Sequence, residues 1–138
     1  MKLVKFGGSS CASAEQFKKV REIVFSDPAR RYVVVSAPGK RFPKDEKVTD
    51  LLYLLYEDLR EGRGMERQLS KIERRYREII DGLSLSLSLE EDFREIRERL
   101  LAGESCAYAA SRGEYLNAKL MAEYLGFPFL DAGELIAF

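Results

Sequence analysis

Histidine is absent from the 138 residues. Its absence excludes Ser-His-Asp and Cys-His catalysis, His-based zinc sites and any histidine general base within the chain. Cysteine occurs only at Cys11 and Cys106, far apart and in no metal-ligand spacing. The sequence therefore offers no metal site of its own, and two free thiols in a reducing cytoplasm are expected. Net charge is also missing, with 23 basic against 23 acidic residues. A nucleic-acid binder normally carries a basic excess, so no nucleic-acid partner is expected. No apolar run approaches the ~20 residues of a membrane span. The apolar residues after Met1 are broken at Lys5 and Gly7, so neither a signal peptide nor a membrane partner is expected.

What is present is ordinary for one globular domain: 46% hydrophobic and 33% charged residues. The charge is unevenly placed. Residues 1–40 hold eight basic and three acidic side chains, and residues 57–104 hold ten basic and thirteen acidic. A basic first third on a neutral chain suggests a small anionic ligand there.

Periodicity predicts alternating strands and helices. Lys2 to Phe6 reads as a short buried strand stopping at Gly7-Gly8, and Ser13 with Gln16 forms a capping box for a helix carrying Phe17, Val20 and Val24. Tyr32 to Val35 is a continuous β-branched run, suited to a parallel strand covered on both faces. Residues 39–47 read as a polar loop, and Val48 to about Glu61 as a helix. Residues 65–102 are predicted to be a helical hairpin insertion standing off the sheet, its mixed charges forming a solvated face. Within it the alternating Leu and Ser of 83–89 are a linker, and Ser88 with Glu91 caps the second helix. A further helix runs through Glu114 to Leu125, closed by Gly126, and Phe127 to Leu130 is predicted to be a third strand. This alternation predicts an α/β protein, a three-layer αβα sandwich with a mainly parallel sheet. Three strands are few, so residues 1–138 are expected to be the front portion of a larger domain.

In an open parallel sheet, ligands bind beyond the carboxyl ends of the strands. The sharpest polar cluster there is Lys5 to Ser10. Gly7-Gly8 lets backbone N–H groups approach a phosphate, Ser9 and Ser10 add hydroxyls, and Lys5 can neutralise charge on phosphoryl oxygens. Neither a Walker loop nor a GxGxxG fingerprint is present.

Val4-Lys5-Phe6-Gly7-Gly8-Ser9-Ser10 resembles the K-F-G-G-[ST]-S signature of aspartate kinases. Three further stretches resemble that family in order and spacing: Val34 to Lys40, Lys47 to Leu52, and Ser111 to Ala118. The resemblance implies the amino-acid-kinase fold, present in part, and transfer of a phosphoryl group from ATP, with Mg²⁺, to the β-carboxylate of L-aspartate. The product, 4-phospho-L-aspartate, opens the pathway to lysine, threonine and methionine. Carried over by position, Lys5 would be catalytic and contact the transferring phosphate, with Gly7, Gly8 and Ser9 cradling phosphates. Ser36, Thr49 and Glu114 would hold aspartate, Glu114 through its ammonium group. Other readings of the same residues stay open: Thr49 as the N-cap of its helix, and Glu114 as a first-turn glutamate answering the helix dipole.

The family's catalytic domain is about twice as long, and nothing in this chain matches its adenine-binding half or its regulatory domains. Residues 1–138 alone are therefore expected to show no turnover and to self-associate as a homo-oligomer. The alternatives are a non-catalytic amino-acid or phosphate-binding module, or a kinase of the same fold acting on glutamate, acetylglutamate, carbamate or uridylate. Thr49-Asp50 and the Ser-x-Gly-Glu at 111–114 argue for aspartate.

Overall fold

A computed structural model describes residues 2–131. Strand β1 (Lys2–Phe6) leads through a 3₁₀ turn (Gly8–Cys11) into helix α1 (Ala14–Phe25), and β2 (Arg30–Val35) follows. Four helices complete the order: α2 (Val48–Arg60), α3 (Glu66–Gly82), α4 (Glu90–Leu101) and α5 (Cys106–Leu125). The chain is a mixed α/β protein with a parallel sheet, in which β1 and β2 pair in register Leu3↔Tyr32 through Phe6↔Val35.

Local chemistry sets most boundaries. The Ser13 hydroxyl accepts from the Gln16 N–H at 3.4 Å and starts α1. Ser105 caps α5, accepting from the Tyr108 N–H at 3.1 Å. Gly126 ends α5 in the left-handed region at φ 72°, and the Phe127 N–H returns to the Ala122 carbonyl at 2.9 Å. At α4 the cap differs from expectation: Leu89 is the N-cap, and Ser88, one residue early, accepts from the Glu90 N–H.

Two sequence expectations about the sheet are corrected. Residues 127–131 form no ladder with the other described residues. After the Gly126 turn their rings go to helices instead, Phe127 against Phe25 and Phe129 against Tyr115, with centroids 6.0 and 5.6 Å apart. The second correction is that β2 is not covered on both faces. Phe6 and Val35 are buried, but Leu3, Tyr32 and Val34 are exposed, and they share their face with Lys5.

The core lies between helices. Leu51, Leu52 and Leu55 of α2 are buried along with Leu69, Ile72, Tyr76 and Ile79 of α3 and Leu116 and Leu120 of α5. Helix α3 therefore packs into the body, against α2 and α1, rather than standing off it. Helix α4 meets α3 through the rings of Tyr76 and Phe93, and meets α5 through the Lys119–Asp92 ion pair at 2.6 Å.

Candidate functional site

The site is built where four chain segments meet beyond the carboxyl ends of β1 and β2. The Ser36 N–H donates to the Phe6 carbonyl at 3.0 Å, extending the ladder by one residue. The Gly39 N–H then donates to the Gly8 carbonyl at 2.8 Å and joins the loop after β2 to the turn after β1. Only glycine fits this crossing, because a Cβ on Gly39 would lie 2.6 Å from the Gly8 carbonyl carbon. Gly7 differs, being extended (φ −75°, ψ 176°) with nothing within 4 Å of where a Cβ would stand.

The other two segments are tied to the same junction. The Val48 N–H donates to the Pro38 carbonyl at 3.0 Å, which brings the start of α2 to the end of β2. Helix α5 crosses at Gly113, where a Cβ would come within 2.7 Å of the Ala37 Cβ. One turn on, Asn117 is fully buried, and its Nδ2 donates to the Ser36 carbonyl at 2.7 Å. The Cys11 thiol is packed beside Asn117 and the Ser36 backbone, and burial pushes its pKa up to about 11. It is held neutral and works as a small apolar side chain.

The residues singled out from sequence fall as follows. Lys5 and Ser9 are exposed, on the open sheet face and on the 3₁₀ turn. Gly7 and Gly8 lead into that turn, whose first N–H groups have no partner within it. Ser36 is partly buried at the end of β2, and Thr49 is partly buried in the first turn of α2. Thr49 is not the N-cap, a place taken by Lys47 without a side-chain hydrogen bond. Glu114 is exposed in the middle of α5, which starts eight residues earlier at Cys106. Its reading as a first-turn glutamate is thereby corrected, since the dipole acts only within the first turn. The backbone links bring the segments bearing all these residues to one junction.

Sequence reasoning missed the groups that hold the junction from behind. Arg75 of α3 is 5% exposed. Its Nη1 donates to the Glu46 carbonyl at 2.7 Å, and its Nη2 to the carbonyls of Gly39 at 2.6 Å and Ala12 at 3.4 Å. The neighbouring Tyr76 hydroxyl donates to the Gly113 carbonyl at 2.7 Å. A signal for Arg75 was available: it stands three residues after Ile72 and four before Ile79, inside the apolar stripe.

Asp45 lies 3.6 Å from Arg75 and 2.7 Å from the Arg41 Nε, and Arg41 also pairs with Glu78 of α3. Arg41 donating to its carboxylate is the main reason that Asp45 ionises well below the usual carboxylate range. The unfolded chain takes up this proton near 3.8 and the folded chain only at much lower pH, so the stabilisation is complete above pH 3.8 and is lost on acidification. Melting curves between pH 6 and 2 should fall more steeply for the wild type than for Asp45→Asn. Parallel curves would contradict the assignment. Some slope remains in the variant, because Lys2 and Arg63 hold Asp27 and Asp58 low in the same way.

Chemically, the junction presents an exposed ammonium, a hydroxyl and the leading N–H groups of the 3₁₀ turn beside two partly buried hydroxyls and one exposed carboxylate. That set suits an anionic phosphate next to a zwitterion. Among the described residues no three His, Cys, Asp or Glu side chains gather as a metal site, and no helix is long and apolar enough to cross a membrane.

No protein-family profile matches the chain. Over 140 aligned residues it is 47% identical to Aspartokinase 3 of Bacillus subtilis (strain 168), covering 96% of this chain and 30% of that protein. The crystal structure of Clostridium acetobutylicum aspartate kinase matches with a TM-score of 0.90 at 44% identity, over 96% of this chain and 30% of that one. That of E. coli aspartokinase III in complex with aspartate and ADP matches with a TM-score of 0.70 at 26% identity, over 90% of this chain and 28% of that one. The chain thus spans about 30% of the length of the curated relative it matches.

Proposed function

This chain is an aspartokinase homologue, and from that premise we propose that it supplies the amino-acid site and part of the phosphoryl site of an ATP-dependent aspartate kinase. The reaction is transfer of the γ-phosphoryl group to the β-carboxylate of L-aspartate, giving 4-phospho-L-aspartate for lysine, threonine and methionine biosynthesis in the cytoplasm. The observation that carries this reading is the junction itself, where Gly8, Gly39, Pro38, Val48, Ser36 and Asn117 are linked by three hydrogen bonds of 2.7–3.0 Å. The crystal structure of the similar E. coli enzyme is a complex with aspartate and ADP, the acceptor and the spent nucleotide of this reaction.

In this reading Lys5 draws charge from the transferring phosphoryl oxygens, and Gly7, Gly8 and Ser9 receive phosphate through N–H and hydroxyl donors. Ser36 and Thr49 donate hydroxyls to the aspartate carboxylates, and Glu114 pairs with the ammonium. Phosphoryl transfer needs mainly alignment and charge stabilisation, so these residues act by position rather than by covalent chemistry. The described residues do not form a carboxylate cage for magnesium, and Mg²⁺ is commonly held largely by nucleotide phosphates. Self-association into a homo-oligomer is part of the proposal, supported by the open apolar face of Leu3, Tyr32 and Val34.

The test uses the chain alone and a chimera in which it replaces the matching segment of the Clostridium acetobutylicum enzyme. The chain alone should bind aspartate without consuming ATP, and the chimera should show aspartate-dependent turnover. In the chimera, Glu114→Gln should raise KM for aspartate at least tenfold and leave KM for ATP within twofold. Equal effects on both constants would remove Glu114 from the amino-acid site. A chimera that binds aspartate without turnover would favour a binding module instead.

A further inference from the structure

Helix α3 carries none of the residues assigned to ligand above, yet Arg75 reaches from it to three segments that do the binding. Its two terminal nitrogens hold the carbonyls of Ala12, Gly39 and Glu46. Ala12 closes the turn that bears Gly8 and Ser9, Gly39 lies three residues beyond Ser36, and Glu46 lies three residues before Thr49. A planar guanidinium presents its donors in a rigid fork, so meeting three carbonyls at once fixes the segments relative to one another. The cation is buried, and Asp45, oriented by Arg41, supplies the nearby counter-charge.

We infer that Arg75 is a positioning residue, which sets the spacing between the phosphate turn, the Ser36 loop and the Thr49 end of α2, and so tunes aspartate affinity without touching the ligand. The inference rests on the functional reading above. It concerns the part of that reading in which hydroxyls on separate segments must converge on one small zwitterion. Such convergence is sensitive to sub-ångström shifts of the supporting shell. A lysine would restore the charge but not the fork.

Aspartate affinity of the 138-residue chain, followed by amide chemical shifts, provides the test, with urea unfolding measured in parallel. The control is Val24→Ala, a buried cavity variant near the far end of α1. Arg75→Met should weaken aspartate binding at least tenfold, Arg75→Lys by an intermediate factor, and Val24→Ala less than twofold. Should Arg75→Met not fold, Arg75→Lys and Asp45→Asn carry the comparison, and each should weaken binding by threefold or more. Binding by the Arg75 variants that falls no further than in the control would overturn the inference.

A wild-type chain that binds no aspartate would sink the functional reading and leave the clamp to be judged by hydrogen exchange. The Gly39 and Val48 amides donate to the Gly8 and Pro38 carbonyls. In Arg75→Lys they should lose at least tenfold protection beyond the global loss shared with Val24→Ala. Unchanged protection would overturn the clamp itself.

Discussion

Lys5→Ala is expected to lower kcat by ~10²-fold or more in the active chimera, the scale of losing one preorganised electrostatic contact in a transition state. The stability of the folded chain should change little, by less than about 0.5 kcal/mol, as for a surface substitution away from any special feature. Both halves of the expectation come from placement. Lys5 is the penultimate residue of β1, opposite Val34, on the exposed face of the sheet. It makes no hydrogen bond or ion pair with another described residue, so the fold loses nothing when the ammonium goes. A lysine kept for structure would show the reverse pattern, with lost stability and retained turnover. Steady-state kinetics and urea unfolding on the same preparation separate the two, and a kcat within a few-fold of wild type would falsify the catalytic assignment. Lys5→Arg should keep the charge but misplace it, and fall between.

The largest stability effect is expected at Gly39. A methyl group there would lie 2.6 Å from the Gly8 carbonyl carbon and 2.9 Å from both the Gly8 oxygen and the Ser9 nitrogen. All three are backbone atoms, so no side-chain rotation relieves the clash. The loops would have to part, breaking the Gly39–Gly8 hydrogen bond and shifting the carbonyl that Arg75 holds. Gly39→Ala should therefore cost about 3 kcal/mol, the upper part of the range for overpacking. Gly7→Ala is the matched comparison, one residue before Gly8 at the same junction. Its backbone is extended and its surroundings are open, so stability should stay within about 0.5 kcal/mol of wild type. If Gly7 lets a phosphate approach the backbone, nucleotide binding should weaken in Gly7→Ala nonetheless. Equal stability of the two variants would show that the Gly8–Gly39 crossing is not the tight point of the fold.

Much of this chain is legible locally. The Ser13 cap, the span of α2 from Val48 and the Gly126 stop rest on contacts within a few residues, β1 and β2 are marked by their apolar runs, and the structure has all of them where the sequence pattern put them. The turn after β1 was equally readable from Gly7-Gly8, although of the two only Gly8 stands against close backbone.

Tertiary structure decided the rest. Phe127 to Leu130 has the composition of a buried strand, but the Gly126 turn and the rings of Phe25 and Tyr115 direct its aromatic residues to helices. A strand needs a ladder partner, and no local pattern says whether one is in reach. Glu114 looked like a helix start until α5 was found to begin at Cys106, and Thr49 looked like a cap until Lys47 took that place. Arg75 is the clearest case, since one charged residue among many on α3 reads as solvated when charge is averaged along the helix. The sequence alone determined the two paired strands, the helices and the glycine turn that follows β1, because hydrophobic period and backbone preference act over a few residues. Only the folded chain decided that Arg75 and Asn117 turn inward, and which carbonyls they and Tyr76 hold, because a buried polar group is stable only where distant backbone meets its hydrogen bonds.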